Sequence, residues 1–230
     1  MRPGAATPVL AAGLLLAAPA AAWDHPSEIV QGTARVLDRG EMIIGVLSPL
    51  GYGAHERVTL FTHPILDLLL TPNLWLRVDP WGTETWGTAV EAGYQQSFLS
   101  VASRTKEYPG YIQLGGAASF ATERIQVTLA AGYEGRFAGR DDLSRVFLYY
   151  RAGLDVLATS RDLVLVRLLG NLRLDRVVAE IPAVWLLYAR DLGRARIGAG
   201  LVAGAFPLRG LPDHYDVWPV YPWLDAWWRF

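Results

Sequence analysis

An apolar–polar alternation with a period of two residues constrains this 230-residue chain more than any other feature of its sequence. In residues 124–137, Ile125 and Val127 share one face, whereas Gln126 and Thr128 share the other. Successive side chains of a β-strand point to opposite faces, so this pattern predicts a strand with one apolar and one polar face. Because helical spacing of apolar residues is weak beyond the N-terminus, the sequence predicts an all-β fold.

The alternation predicts twelve strands. They cover residues 33–37, 41–49, 57–63, 73–78, 84–101, 111–121, 124–137, 145–159, 162–174, 177–191, 195–208 and 217–230. Short polar connections between the strongest segments predict antiparallel hairpins. Because segment 33–37 is short, a barrel of ten strands is the alternative to one of twelve. No linker divides the chain, which predicts one up-and-down antiparallel β-barrel over residues 33–230 after an N-terminal extension at 23–32.

Strand length and charge placement indicate which solvent the apolar faces meet. The four strongest segments are about 13 to 16 residues long, whereas a tilted membrane strand needs only about 9–11. Their apolar faces carry no charge, and an Arg or Lys at the bilayer midplane costs about 2–4 kcal/mol. Aromatic residues lie near strand ends, where membrane interfaces would be: Trp81, Trp86, Tyr133, Phe137, Trp218 and Trp228. These features favour a transmembrane barrel over an exported soluble barrel that binds an apolar ligand.

The opposite, polar faces carry charges of both signs, and they line the lumen if the apolar faces meet lipid. The lumen-lining candidates are Arg124, Glu134, Arg136, Arg145, Arg151, Asp155, Arg167, Arg173, Glu180, Arg190, Arg196, Asp225 and Arg229. Such a network either lines a narrow pore for a small solute, with its arginine excess favouring anions, or cross-links the interior and leaves no channel. Ten or twelve strands fall between filled eight-stranded barrels and open sixteen-stranded ones, so both alternatives stay open.

Residues 1–22 have the pattern of a secretory signal peptide. Arg2 precedes an apolar run over residues 9–18, and small residues follow up to Ala22, near which we expect cleavage. The run is shorter than the roughly 20 apolar residues of a membrane-spanning helix. The chain has no cysteine, which excludes disulfides and thiolate metal sites, and a net charge of −1, which argues against a nucleic-acid partner.

The final strand ends on Trp228 and Phe230, with Leu224 and Val220 at alternate positions before them. This end resembles the C-terminal assembly signal of Gram-negative outer-membrane β-barrel proteins, which the barrel-assembly machinery reads. The resemblance implies a Gram-negative outer-membrane location, with outer-membrane lipids and that machinery as partners.

Three predicted strands contain an interrupting proline: Pro182, Pro207 and Pro222. Proline has no N–H to donate to a ladder, so each predicts a β-bulge, an unpaired edge or a strand boundary. Residues 62–73 also break the alternation, and they predict an apolar hairpin end or a short helix at one barrel mouth.

His63 and Asp67 are the strongest candidates for catalysis. A lipid hydrolase or acyltransferase would need a serine nucleophile with a histidine base and an orienting carboxylate. Ser48, Ser97, Ser100 and Ser103 are available as the nucleophile. However, the chain has no G-x-S-x-G motif, and no two histidines have metal-ligand spacing. We therefore predict a non-enzymatic barrel without cofactor or metal, monomeric or weakly associated, with the lipid-modifying enzyme as the alternative.

Overall fold

The computed structural model describes residues 23, 25–98, 110–138, 142–174, 178–179, 182–204 and 220–230. For residues 137–138, 142–145 and 178–179 it describes the backbone alone. The predicted signal peptide, residues 1–22, lies outside the described residues.

The described chain consists of β-strands with two short helices. The strands are β1 (Met42–Gly45), β2 (Leu50–His55), β3 (Val58–Thr62), β4 (Asn73–Val78), β5 (Trp86–Gln95), β6 (Gly110–Ala121), β7 (Ile125–Ala138), β8 (Asp142–Leu157), β9 (Asp162–Arg173), β10 (Val178–Ala179), β11 (Ala183–Asp191), β12 (Ala195–Gly204) and β13 (Val220–Arg229). A 3-10 helix covers Pro26–Glu28, and α1 covers Pro64–Leu68. Within the described residues, neither helix is long and apolar enough to cross a membrane.

The strands close into an antiparallel barrel. Each strand from β1 to β9 pairs with the next, β9 pairs with β11, and β11, β12 and β13 follow in order back to β1. The two-residue β10 pairs with the same strand as β11, so the two occupy one position in the wall. The prediction of an all-β barrel with twelve antiparallel strands is confirmed.

One of the twelve predicted strands is wrong, and one real strand was missed. Residues 33–37 are not a strand; they lie inside the barrel, where Thr33 and Leu37 are fully buried. The backbone N–H of Leu37 donates to the Thr59 hydroxyl at 2.7 Å, a side chain of the barrel wall, instead of to a neighbouring strand. The missing strand is β2, which lies between the predicted segments 41–49 and 57–63; its glycines and short length weaken the alternation.

The two ends of the barrel differ in their connections. At one end, here the terminal end, β1 begins beside the last residues of the chain and the connections 56–57, 79–85, 122–124, 158–161 and 192–194 join the strands. At the other end, here the loop end, the strand ends are separated in the sequence by residues 46–49, 63–72, 96–109, 139–141, 174–177 and 205–219. The longest stretches of sequence between strands therefore all separate strand ends at the loop end.

Pairing with β9 shifts by one residue between Ala179 and Ala183, on either side of Pro182. Because strand faces alternate at every residue, one extra residue exchanges the faces beyond it. Trp185 and Leu187 therefore point into the barrel, whereas the uninterrupted alternation placed them on the apolar outer face. Pro182 fits here because a strand interruption needs no donated N–H.

Candidate functional site in the barrel lumen

The N-terminal segment 25–37, here called the plug, fills the terminal half of the lumen. Apolar and polar side chains of the plug are buried together. The buried plug residues are Pro26, Ile29, Val30, Thr33, Ala34, Arg35 and Leu37. Just before the plug, Trp23 is 3% exposed, and its N–H donates to the Ser160 carbonyl at 2.9 Å in a connection of the terminal end. The chain therefore enters the barrel from the terminal end and leaves by the same end into β1.

Arginines of the wall hold the plug by its backbone. Arg77 donates through Nη1 to the carbonyls of Val30, at 2.9 Å, and Arg35, at 2.8 Å. Arg229 donates to the Glu28 carbonyl at 2.9 Å. Hydrogen bonds from a charged donor contribute more than neutral ones, about 1.5–3 kcal/mol each. They also satisfy carbonyls of a buried segment that has no strand partner.

Arg35 makes the reverse connection, from the plug to the wall. It donates to the backbone carbonyls of Thr83 and Glu84 in the connection 79–85 and of Trp86, the first residue of β5. It also donates to the side chain of Gln126 at 3.2 Å. The planar guanidinium, with five donors in a fixed geometry, suits such a multiple contact. Plug and wall are therefore joined in both directions.

Beside the plug, the inner face carries paired charges. Glu91 on β5 accepts from Arg77 at 2.9 Å and from Arg151 at 3.0 Å. Similar pairs join Arg167 to Asp155 at 2.5 Å and Arg196 to Asp191 at 2.8 Å. Since each of these carboxylates is paired with an arginine, this part of the wall cross-links the interior.

Most lumen candidates from the sequence lie on the inner face. These are Glu134, Arg136, Arg151, Asp155, Arg167, Arg173, Arg196, Asp225 and Arg229. Arg145 is the register partner of Arg136, but its side chain is not described, and Glu180 lies outside the described residues. The structure brings Arg151 to Glu91 and Arg167 to Asp155, but it places Arg196 and Arg229 near the terminal end with other partners.

Two of the candidates do not line the lumen. Arg124 is exposed in the connection 122–124, because β7 begins only at the next residue. Arg190 points outward, since the register shift at Pro182 inverts the faces of its strand. On the outer surface Arg190 pairs with Asp162 at 3.3 Å, and the Tyr188 hydroxyl donates to the same carboxylate.

Arg35, Arg77 and Glu91 hold the plug and the centre of the inner wall, yet they are not among the lumen candidates predicted from the sequence. The sequence contains a signal for two of them, because Arg77 and Glu91 lie on the polar faces of consecutive predicted strands. In the structure they are register partners. Arg35 had no such signal, since its partners are backbone carbonyls far away in the sequence.

The catalytic candidates His63 and Asp67 lie at the loop end, on α1 and the residue before it. The Asp67 carboxylate accepts from Thr62 at 2.6 Å and from Asn73 at 3.0 Å. His63 is 8% exposed, and burial lowers its pKa even though Asp225 and Asp67 raise it. Within the described residues, the Nδ1 atom of His63 has no hydrogen-bond partner.

Ser48, one of the four candidate nucleophiles, donates its hydroxyl to the Asp225 carboxylate. Two others, Ser100 and Ser103, lie outside the described residues. A serine becomes nucleophilic when a histidine accepts its proton, so a direct bond to a carboxylate is not the arrangement of a catalytic triad. The described residues therefore do not bring Ser48, His63 and Asp67 into a catalytic chain.

Between the plug and the wall lies a cavity of about 20 Å³, lined by Trp23, Ile29 and Trp227 among others. This is about the space of one water molecule. In the part of the chain that the structure describes, no group of three or more His, Asp or Glu side chains has the arrangement of a metal site. No family model and no curated protein sequence matches this chain.

Proposed function

We propose that this chain is a non-enzymatic outer-membrane β-barrel that its own N-terminal segment seals at the terminal end. Of the two alternatives for the lumen, the plugged barrel has the stronger support, because the plug is bonded to the wall in both directions. The barrel then acts as a membrane scaffold without a through-channel. Molecules can reach its lumen only from the loop end or from the membrane.

The composition of the outer surface carries this proposal. Among the strand residues with described side chains, the charged ones that point outward are Asp162 and Arg190, a pair at the terminal end. The remaining surface exposes large apolar side chains such as Leu114 at 57%, Leu129 at 63% and Leu224 at 69%. Soluble monomers rarely expose contiguous apolar patches beyond a few hundred Å². An apolar belt with a charged, paired interior is instead the arrangement of a barrel in lipid.

Aromatic side chains support the same assignment. Outward-pointing residues near the terminal end are Trp86, Phe120, Tyr188, Trp228 and Phe230, and those toward the loop end are Tyr94 and Tyr133. Trp and Tyr concentrate at membrane interfaces, where the apolar ring contacts lipid and the polar group contacts water. Short turns at the terminal end and long connections at the loop end match the periplasmic and extracellular sides of outer-membrane barrels.

Planar-bilayer recording tests this proposal. The chain without residues 1–22 is refolded into detergent, and folding is followed by a change in gel mobility on boiling. We expect insertion without stable current steps, and steps of reproducible size after deletion of residues 23–37. Stable steps from the undeleted chain would contradict the plug, and failure to insert would contradict the membrane assignment. Release of fatty acid from phospholipid that His63→Ala abolishes would establish the enzyme instead.

A further inference from the structure

The ladder between β13 and β1 ends abruptly at Asp225. Met42 and Phe230 exchange both backbone hydrogen bonds, and the pairing continues until the Val46 N–H donates to the Ala226 carbonyl at 2.9 Å. The return bond is missing, because the Ala226 N–H donates to its neighbour's carboxylate at 2.8 Å. The same Asp225 oxygen accepts from the Leu47 N–H at 2.9 Å. Asp225 therefore replaces the ladder and turns residues 46–49 away from it.

Beyond this point, one edge of β13, here called the free edge, has no neighbouring strand among the described residues. Val220, Pro222 and Leu224 lie on this edge, and within the described chain they have no ladder partner on the side of β1. Residues with even numbers direct their backbone groups to that side, as Ala226 and Phe230 show. Pro222 is one of them, and a proline fits an edge because no N–H is left unsatisfied there.

The strands next to this edge are too short to complete the wall. β1 to β4 have four to six residues each. At about 3.3 Å per residue they span roughly 13–20 Å, less than the apolar band of about 25 Å on a membrane barrel. Above them, residues 46–49 and the segment of α1 replace the strands, and Leu68 there is 82% exposed.

The lumen beside the free edge is apolar. Tyr221 and Trp223 of β13 point inward with Val202 of β12, and Trp185 packs on Trp223 with ring centres 4.9 Å apart. Leu47 from the connection 46–49 packs against this cluster. Across the lumen, by contrast, β5 and β8 present charged side chains. An apolar inner surface beside a break in the wall is suited to an apolar molecule that arrives from the membrane.

We propose that the break at β13 is a lateral entrance, through which an acyl chain enters from the surrounding membrane and binds against Trp223, Trp185 and Val202 in place of Leu47. The site rests on the proposed membrane location, and the plug below it prevents onward passage to the terminal end. Trp185 supplies a buried indole N–H that has no partner in the described residues and suits an ester or carboxylate oxygen. Asp225 and Ser48 form the latch that holds residues 46–49 in the break.

Photo-crosslinking tests the entrance, because inward and outward residues alternate along each strand. The full mature chain is reconstituted in liposomes with palmitic acid that carries a diazirine, irradiated, and digested for residue-level mass spectrometry. A second reconstitution uses phosphatidylcholine with the diazirine in its acyl chain, which distinguishes a free fatty acid from an intact lipid as the source. We expect label on Trp223 and Tyr221 as well as on outward Leu224 in at least one of the two. On β7, used as an internal reference, label should be confined to outward residues such as Leu129.

Variants at the break complete the test. Leu47→Trp should fill the site and lower inward labelling of β13 about tenfold, which corresponds to about 1.4 kcal/mol. The control Leu74→Trp, on the outer face of β4, should leave it unchanged. Asp225→Asn should raise inward labelling by weakening the latch, with folding checked by gel mobility.

Label confined to outward residues on both β13 and β7, with either probe, would overturn the entrance but leave the membrane barrel intact. Labelling without a preference for outward residues on any strand would instead contradict the proposed membrane location.

Discussion

Tyr150 of β8 lies across Gly170, its register partner on β9. A Cβ atom at Gly170 would overlap the phenol ring and oxygen, and no backbone atom is among its nearest contacts. On the inner face, Trp75 lies against Gly93 in the same way, whereas Tyr149 lies near Gly132 together with backbone atoms of Leu114 and Gly115. Glycine in a strand is unfavourable by itself, but here it provides the space into which a large side chain of the next strand folds.

We expect Gly170→Ala to destabilise the barrel by about 1–3 kcal/mol, the usual cost of overpacking. Because the obstruction is a side chain, adding Tyr150→Ala to Gly170→Ala should recover most of the lost unfolding free energy. Urea unfolding of the four proteins in lipid, followed by tryptophan fluorescence, measures the coupling.

Gly116→Ala is the matched control for this cycle. Gly116 also points outward on a strand, yet the nearest atom to an added Cβ is the Ala89 carbonyl oxygen at 3.5 Å, an ordinary contact. Its substitution should change the unfolding free energy by less than about 0.5 kcal/mol. Additive effects of Gly170→Ala and Tyr150→Ala would show that the two residues do not share one space.

Leu129→Arg should lower the unfolding free energy in lipid by about 2–4 kcal/mol, since Leu129 is 63% exposed on the outer face of β7. Leu192→Arg is the same substitution in the connection 192–194 at the terminal end, where Leu192 is 56% exposed. It should have little effect there, because the charge stays hydrated. Equal losses in the two variants would contradict a lipid-facing belt.

Arg77→Ala should loosen the plug, because Arg77 donates to two plug carbonyls and to Glu91. The chain has no cysteine, so a single Val30→Cys, at a position that is 2% exposed, reports on the plug. We expect Arg77→Ala to raise the rate at which a water-soluble maleimide labels Cys at position 30 by about tenfold to a hundredfold, as loss of about 1.5–3 kcal/mol implies. Arg190→Ala, on the outer surface, is the control and should leave the rate unchanged. An unchanged labelling rate in Arg77→Ala would mean that other contacts are sufficient to hold the plug.

His63 makes the loop end sensitive to acid. Burial lowers its pKa below the ordinary value near 6.5, so the unfolded chain binds a proton before the folded protein does. Its contribution to stability is therefore complete above about pH 6.5 and falls as the pH drops from there toward the lower folded pKa. Urea unfolding between pH 7.5 and 5 should show a smaller acid loss in His63→Gln than in the parent chain. An equal acid loss in His63→Gln and in the parent chain would contradict this role of His63.

The sequence by itself determined the class of this protein. An alternation with a period of two is a property of neighbouring residues, so Val127 and Thr128 reveal a two-faced strand without knowledge of its partners. Repeated along the chain, it gave the all-β barrel with twelve antiparallel strands, and the polar phase contained most charged residues of the inner face.

Only the tertiary structure decided which segments form the wall and which fill it. Residues 33–37 resemble a short strand, yet they lie in the lumen, where Arg77 and Thr59 bond to the backbone of Arg35 and Leu37. The register shift beside Pro182 moves Trp185 inward and Arg190 outward, and a shift of one residue leaves no trace in a local pattern. Partners such as Arg35 and Glu84 meet because the barrel closes, so their contact depends on hydrogen bonds between distant parts of the chain.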